Sequence, residues 1–171
     1  MTRTVWIGVG MLALLAMVAG WWGSKAKKPV SDMTFQNDLV RAIGSAQEIR
    51  LTEHSSPHDW GRKLSREHVY RTKVLSPESR AKLAGMLAAM DPAPQEAIAA
   101  CVPLYHHTIE FTGSDEQPVL ICFGCGQIKW REMAAPGAAF QVLGDFLESE
   151  GFERSRDWNA LAEAAEKEGT Q

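Results

Sequence analysis

The sequence predicts an α+β fold, a small antiparallel sheet packed against helices, preceded by one N-terminal transmembrane helix. Three observations lead to it. Residues 5–22 (VWIGVGMLALLAMVAGWW) form an uncharged run that is apolar on every face, as a lipid-embedded helix requires. Several short stretches, such as Glu48-Ile49-Arg50-Leu51-Thr52, alternate polar and apolar residues as half-buried strands do. Between and after them, apolar residues recur at three- and four-residue spacing beside helix-capping residues. The chain divides into residues 1–23 (anchor or signal), 24–47 (linker with a weak helix), 48–152 (α+β domain) and 153–171 (C-terminal helix). With the apolar segment set aside, 171 residues leave room for one domain of modest core.

Eighteen helical residues span about 27 Å, just enough for a bilayer core. Trp6 at one end and Trp21-Trp22 at the other suit the two interfaces. Val18-Ala19-Gly20 offers a small-residue cleavage site, but Trp21 after it and the length of the run fit a retained anchor better. No cysteine lies near the end of the run, which excludes a lipoprotein anchor.

Charge is unevenly divided. Four of the 18 basic side chains (Arg3, Lys25, Lys27, Lys28) and none of the 21 acidic ones lie in residues 1–30, leaving 14 basic against 21 acidic for the body. A net-acidic body without a basic patch argues against nucleic-acid binding. The positive-inside rule alone leaves the body cytoplasmic, by a margin of about one charge.

Ser24 to Ser31 reads as a basic linker. Phe35, Leu39 and Ile43 then share the face of a short helix ending near Gly44. After the strand at 48–52 comes Glu53 to Gly61, rich in turn formers. His54 and His58 are read there as solvated loop residues, because Pro57 argues against the helix that would present them together. Val69 to Leu75 is a second strand. Ser76-Pro77-Glu78 is a strong helix start: a hydroxyl cap, a proline with no N–H to waste, and an acid at the positive dipole end. Leu83, Met86, Leu87 and Met90 follow as one apolar stripe, stopped by Asp91-Pro92. Tyr105–Phe111 and Val119–Phe123 form a hairpin around Gly113 to Gln117, with a further strand at Gln127–Arg131. Pro136 opens a helix with Phe140, Leu143 and Leu147 inward, closed at Gly151 with Phe152 folding back. Asp157 to Lys167 is an alanine-rich helix with Trp158, Leu161 and Ala165 on one face, read as a packed or frayed appendage.

All three cysteines and two of the five histidines fall between Cys101 and Cys125. The apolar pattern favours a hairpin register with Phe111 opposite Val119. Ile109, Phe111, Val119, Ile121 and Phe123 then line the core face together with His107, while His106 and Cys122 become diagonal neighbours on the other. Cys101 precedes the first strand and Cys125 follows the Gly124 that bends the second, so both can curl to the same end. Three readings follow. Cys101, His106, Cys122 and Cys125 have the residue types of a structural Zn²⁺ site. Alternatively the cysteines are buried or disulfide-bonded without chemistry, as an exported domain would oxidise a near pair. The third is thiol–disulfide exchange through Cys122 and Cys125, although no helix N-terminus follows to lower the thiol pKa. No hydrolase elbow, P-loop, zinc-protease or dinucleotide motif is present.

Cys101-Val102-Pro103-Leu104-Tyr105-His106 and Ile121-Cys122-Phe123-Gly124-Cys125 resemble the signature Cys-Phe-x-Pro-Arg-His … Ile-Cys-Phe-x-Cys of a family of small, uncharacterised bacterial proteins, mostly exported. The resemblance spans residues 48–152. Leu104-Tyr105 stand where that signature has Pro-Arg, so an anion-binding role for that arginine is missing. The resemblance implies export and favours His106 over His107. It implies no reaction.

The expectation is therefore an inner-membrane, single-pass protein held by residues 5–22, its soluble domain periplasmic. It would serve as an accessory or binding domain for an unidentified partner or substrate rather than as an enzyme, stabilised by a Cys/His cluster that can hold Zn. Its alternative is a thiol–disulfide redox protein.

Overall fold

The computed structural model describes residues 32–61, 63–93 and 100–168. The transmembrane helix expected at residues 5–22 lies outside them. Among the described residues no helix is long and apolar enough to cross a membrane.

Four helices and a five-stranded antiparallel sheet make up the described fold, which is α+β as the patterning predicts. In chain order they are α1 (Asp32–Ser45), β1 (Glu48–His54), a 3-10 turn (Asp59–Gly61), β2 (Val69–Val74), α2 (Pro77–Ala88), β3 (His107–Thr112), β4 (Val119–Cys122), β5 (Gln127–Lys129), α3 (Gly137–Ser149) and α4 (Trp158–Glu168). The sheet order is β2-β1-β3-β4-β5. Ile49, Leu51, Ile109, Phe111, Val119 and Ile121 are buried in one core with Phe35, Leu39 and Ile43 of α1, Leu83 and Leu87 of α2, and Leu143, Phe146 and Leu147 of α3. Trp130 is fully buried there, edge-on to Phe35 at 5.6 Å, and its indole N–H donates to the Gln117 carbonyl. That bond lets a polar ring nitrogen enter the core without a desolvation penalty.

α1 is more than a weak element in a linker. Its 14 residues supply Phe35, Leu39, Ala42 and Ile43 to the core, so the packed body begins well before residue 48. Its pairing with α2 is reinforced by reciprocal capping. Gln36 donates to the Leu87 and Ala88 carbonyls at the end of α2, and Arg80 of α2 donates to Ile43, Ala46 and Gln47 carbonyls at the end of α1. Each helix thus satisfies carbonyls the other leaves orphaned.

The caps form as predicted. Ser76 accepts from the Ser79 N–H, with Pro77 next to it. At the end of α3, Phe152 N–H reaches Leu147 O and Gly151 N–H reaches Glu148 O, a Schellman pair with Gly151 at φ 91° and Phe152 buried.

The hairpin register differs from the expected one by two residues. Ile109, not Phe111, lies opposite Val119, and His107 faces Ile121. A shift of two preserves which residues face the core, so the apolar pattern could not distinguish the alternatives. The far end of β3 is held by β1 instead, Thr112 opposite Glu48 and Phe111 opposite Ile49, which frees β3 from β4 beyond Ile109. The third hairpin strand is also shorter than expected, ending at Lys129, with Trp130 making only an isolated bridge to Met133.

Candidate functional site

At the end of the sheet where β3 begins and β4 ends, a cavity of about 530 Å³ opens between strand, turn and helix. His106, Cys122 and Cys125 border it on the hairpin side, with Phe140 of α3, Arg154 and Trp158 across from them. Its walls are largely aromatic and aliphatic with a few polar groups, the usual makeup of a small-molecule site.

Cys101 and Cys125 are joined as a disulfide, their Cα atoms 6.2 Å apart. The bridge fastens the segment before β3 to the turn after β4. Cys122, the last residue of β4, is a free and buried thiol. The β3–β4 pairing ends at His107–Ile121, and the His106 N–H reaches the Ile121 carbonyl at 3.4 Å. His106 and Cys122 border the same cavity.

His106 is held from two sides. Its Nε2 lies 2.9 and 3.1 Å from the two carboxylate oxygens of Asp59, and its ring stacks on Trp158 at 4.2 Å with 5° between planes. An ionised Asp59 accepts only, so Nε2 carries the proton and the neutral ring keeps its lone pair at Nδ1. Burial pushes the His106 pKa below its ordinary value, and the Asp59 bond pulls against that shift. Asp59 is itself fixed by the Ser56 N–H at 2.7 Å. The 3-10 turn holding it passes through Trp60 and Gly61, both at positive φ (63° and 65°), a tight bend that glycine favours and tryptophan adopts at a cost.

α4 supplies Trp158, and it is docked rather than frayed. The buried Glu166 accepts from His68 and from the Ser65 backbone and hydroxyl, bonds that hold its carboxyl down to about 2. Asn159 accepts from the Trp60 N–H at 2.6 Å. The inward face is Trp158, Ala162 and Glu166, four apart, with Leu161 and Ala165 only half-buried beside it.

His107 is a packed core histidine, as expected. Its Nε2–H donates to the Glu153 carbonyl at 2.9 Å, its ring meets Phe123 and Trp158 edge-on, and burial pushes its pKa down to about 4. His54 departs from its expected solvated loop. It ends β1, half-buried, with Nε2 2.7 Å from the Thr108 hydroxyl and Nδ1 2.9 Å from the Ser55 carbonyl. Strand β1 runs two residues past Thr52 because β3 continues to pair with it through His107. His58 is exposed, as predicted.

Of the four candidate ligands, His106, Cys122 and Cys125 do come to one cavity, with Cys101 bonded to Cys125. The bridge and a four-ligand zinc site exclude one another, because a bridged sulfur is not a thiolate. Among the described residues no group of three His, Cys, Asp or Glu side chains is arranged to hold a metal ion. As site residues, Asp59, Arg154 and Trp158 escaped the sequence reading, which placed Trp158 only on the packed face of the last helix. Asp59 stands in a run of turn formers, and only the Trp60 beside it hinted that this loop is not wholly solvated.

Comparison of the chain with protein-family models, with curated proteins and with solved structures finds no match.

Proposed function

We propose that the chain is a membrane-anchored accessory or binding domain facing an oxidising compartment, and that the cavity beside β3 and β4 is its ligand site. The Cys101–Cys125 bridge carries this reading. It sits at the rim of the largely apolar cavity and ties together the two segments that shape it. Disulfides persist in exported proteins and are rare in the cytosol, which weighs against the one-charge margin favouring a cytoplasmic body. The apolar run at residues 5–22 and the resemblance to exported bacterial proteins point the same way. In this reading the disulfide shapes the site and Zn is not required.

A reporter fused to the C-terminus, with gel-shift alkylation of the same cells, tests the placement. The expected result is an extracytoplasmic reporter with one alkylatable cysteine of three after unfolding without reductant. A cytoplasmic reporter with three alkylatable cysteines overturns it. The binding claim is tested separately, by following Trp158 emission while titrating the purified protein with an uncharged naphthalene probe. Quenching that is lost in Phe140→Ala supports a ligand site, and emission unchanged up to millimolar probe refutes it.

A further inference from the structure

His106 brings an unused hydrogen-bond acceptor to the cavity beside β3 and β4. The residue is 7% exposed and borders the cavity. Trp158 covers one face of its ring, and Asp59 takes the Nε2 proton. Nδ1 therefore keeps its lone pair in the neutral ring. Among the described residues Nδ1 has no hydrogen-bond partner, yet it is not one of the sealed, unpaired atoms, which are Tyr70 Oη, His107 Nδ1 and Arg154 Nε. With one ring face and Nε2 already taken, that open nitrogen looks onto the cavity. Burial, which lowers the pKa of the ring, favours this neutral, accepting form at pH 7. The rest of the wall carries no unmatched charge. Arg154 is the one permanently charged side chain among the described residues that border the cavity, and it is ion-paired with Asp145 and Glu148. Phe123, Phe140 and Trp158 supply aromatic surface, the two phenylalanine rings 5.1 Å apart and tilted by 59°. Such a wall favours an aromatic guest, because ring pairs gain from their quadrupoles beyond the area they bury. A guest without a donor would leave the Nδ1 lone pair desolvated and unpaired, a penalty that selects against it.

We infer that the ligand of this cavity is an uncharged aromatic molecule bearing a hydroxyl or ring N–H, a phenol in the simplest case, which donates to His106 Nδ1 while its ring packs against the aromatic wall. The inference rests on the ligand-site reading above and adds the chemistry of the ligand to it. A carboxylate is disfavoured on two counts. Arg154 already serves two acids, and an anionic oxygen meets the Nδ1 lone pair with another lone pair. An ammonium finds no carboxylate among the described residues that border the cavity. Asp59 sets which nitrogen accepts, since its own lone pairs claim the Nε2 proton.

Calorimetric titration of the full-length protein in detergent at neutral pH tests this, with naphthol, fluoronaphthalene and naphthoate as probes, each against a protein-free detergent blank. Fluoronaphthalene keeps the ring and nearly the size of the hydroxyl but has no proton to donate. The comparison is made with His106→Phe, which keeps a ring over Trp158 and removes the acceptor. The preference for naphthol over fluoronaphthalene should be about three- to tenfold greater in the parent than in the variant, the worth of one neutral hydrogen bond. Partition into micelles is common to both proteins and drops out of that comparison. Equal preferences in the two proteins, or naphthoate bound as tightly as naphthol, overturn the ligand class and leave the cavity a ligand site. Failure of all three probes to bind the parent overturns the ligand site and the inference together. Should His106→Phe fold poorly, the parent alone decides, by nuclear magnetic resonance of isotope-labelled histidine. The His106 Nδ1 resonance should move as naphthol is added and hold still with fluoronaphthalene. A resonance that ignores naphthol, or responds equally to both, overturns the proposal.

Discussion

His106 and Asp59 form a buried pair in which imidazole Nε2 lies 2.9 and 3.1 Å from the two carboxylate oxygens, with each residue under a tenth exposed. Asp59 also accepts the Ser56 N–H, so one carboxylate satisfies a side-chain donor and a backbone donor together. Asp59→Ala strands both, and each buried donor left unpaired costs on the order of 1–3 kcal/mol. Urea unfolding at neutral pH should show a loss of about 3 kcal/mol overall. A midpoint within experimental error of the parent would mean the pair contributes nothing to the fold.

His107 makes stability depend on pH. Burial lowers its pKa from 6.5 to about 4 in the folded chain, so between those values the unfolded chain binds more protons. The term is fully present above pH 6.5 and is lost as pH falls towards 4, amounting to about 3 kcal/mol at roughly 1.4 kcal/mol per pKa unit. His106, also shifted down by burial, acts in the same direction. His107→Gln keeps an N–H donor for the Glu153 carbonyl but cannot titrate. Urea midpoints for parent and variant, compared at pH 7.5, 5.5 and 4.0, should converge as pH falls. Parallel profiles would refute the assignment.

Gly151 holds a backbone conformation that L side chains rarely adopt. At φ 91° an added Cβ is strained by the backbone itself, and it would stand 3.0 Å from the Arg71 guanidinium. A left-handed residue bearing a Cβ costs roughly 1–2 kcal/mol, so Gly151→Ala should lower the melting temperature by several degrees. Ser149→Ala, on the last turn of the same helix, serves as a comparison with ordinary φ, and equal melting of the two variants would remove the conformational argument.

The Cys101–Cys125 bridge closes a sequence separation of 24 residues, a loop whose entropy in the unfolded chain is worth about 3 kcal/mol. Reduction, or Cys125→Ser, should cost that order of stability in guanidinium unfolding. In the oxidised protein a chelator should leave the transition unmoved, since two of the four candidate zinc ligands are tied up in the bridge. A chelator-dependent shift would restore the metal reading.

The lesson about legibility lies in the same hairpin. Alternation in Ile109, Phe111, Val119 and Ile121 revealed the core face because side-chain direction in a strand repeats every two residues. For that same reason a register shifted by two looked identical, and only β1, pairing with β3 through Thr112, decided it. The caps at Ser76 and Gly151 were legible because capping is a matter of a few adjacent residues. Phe35, Leu39 and Ile43 announced a helix, but its place in the core depended on Gln36 and Arg80 reaching across to α2, contacts separated by dozens of residues.

By itself, then, the sequence determined the α+β class, the strands and helices, the inward faces of the strands and of α1 to α3, and the convergence of Cys101, His106, Cys122 and Cys125 on one end of a hairpin. Tertiary structure alone decided which two cysteines join, and that His106 faces Asp59 and Trp158, 47 and 52 positions away. Local patterning reports periodicity and caps, which a segment carries within itself. Pairing of side chains from distant segments depends on how α4 and the turn at Asp59 pack over the sheet end, and no local pattern encodes that.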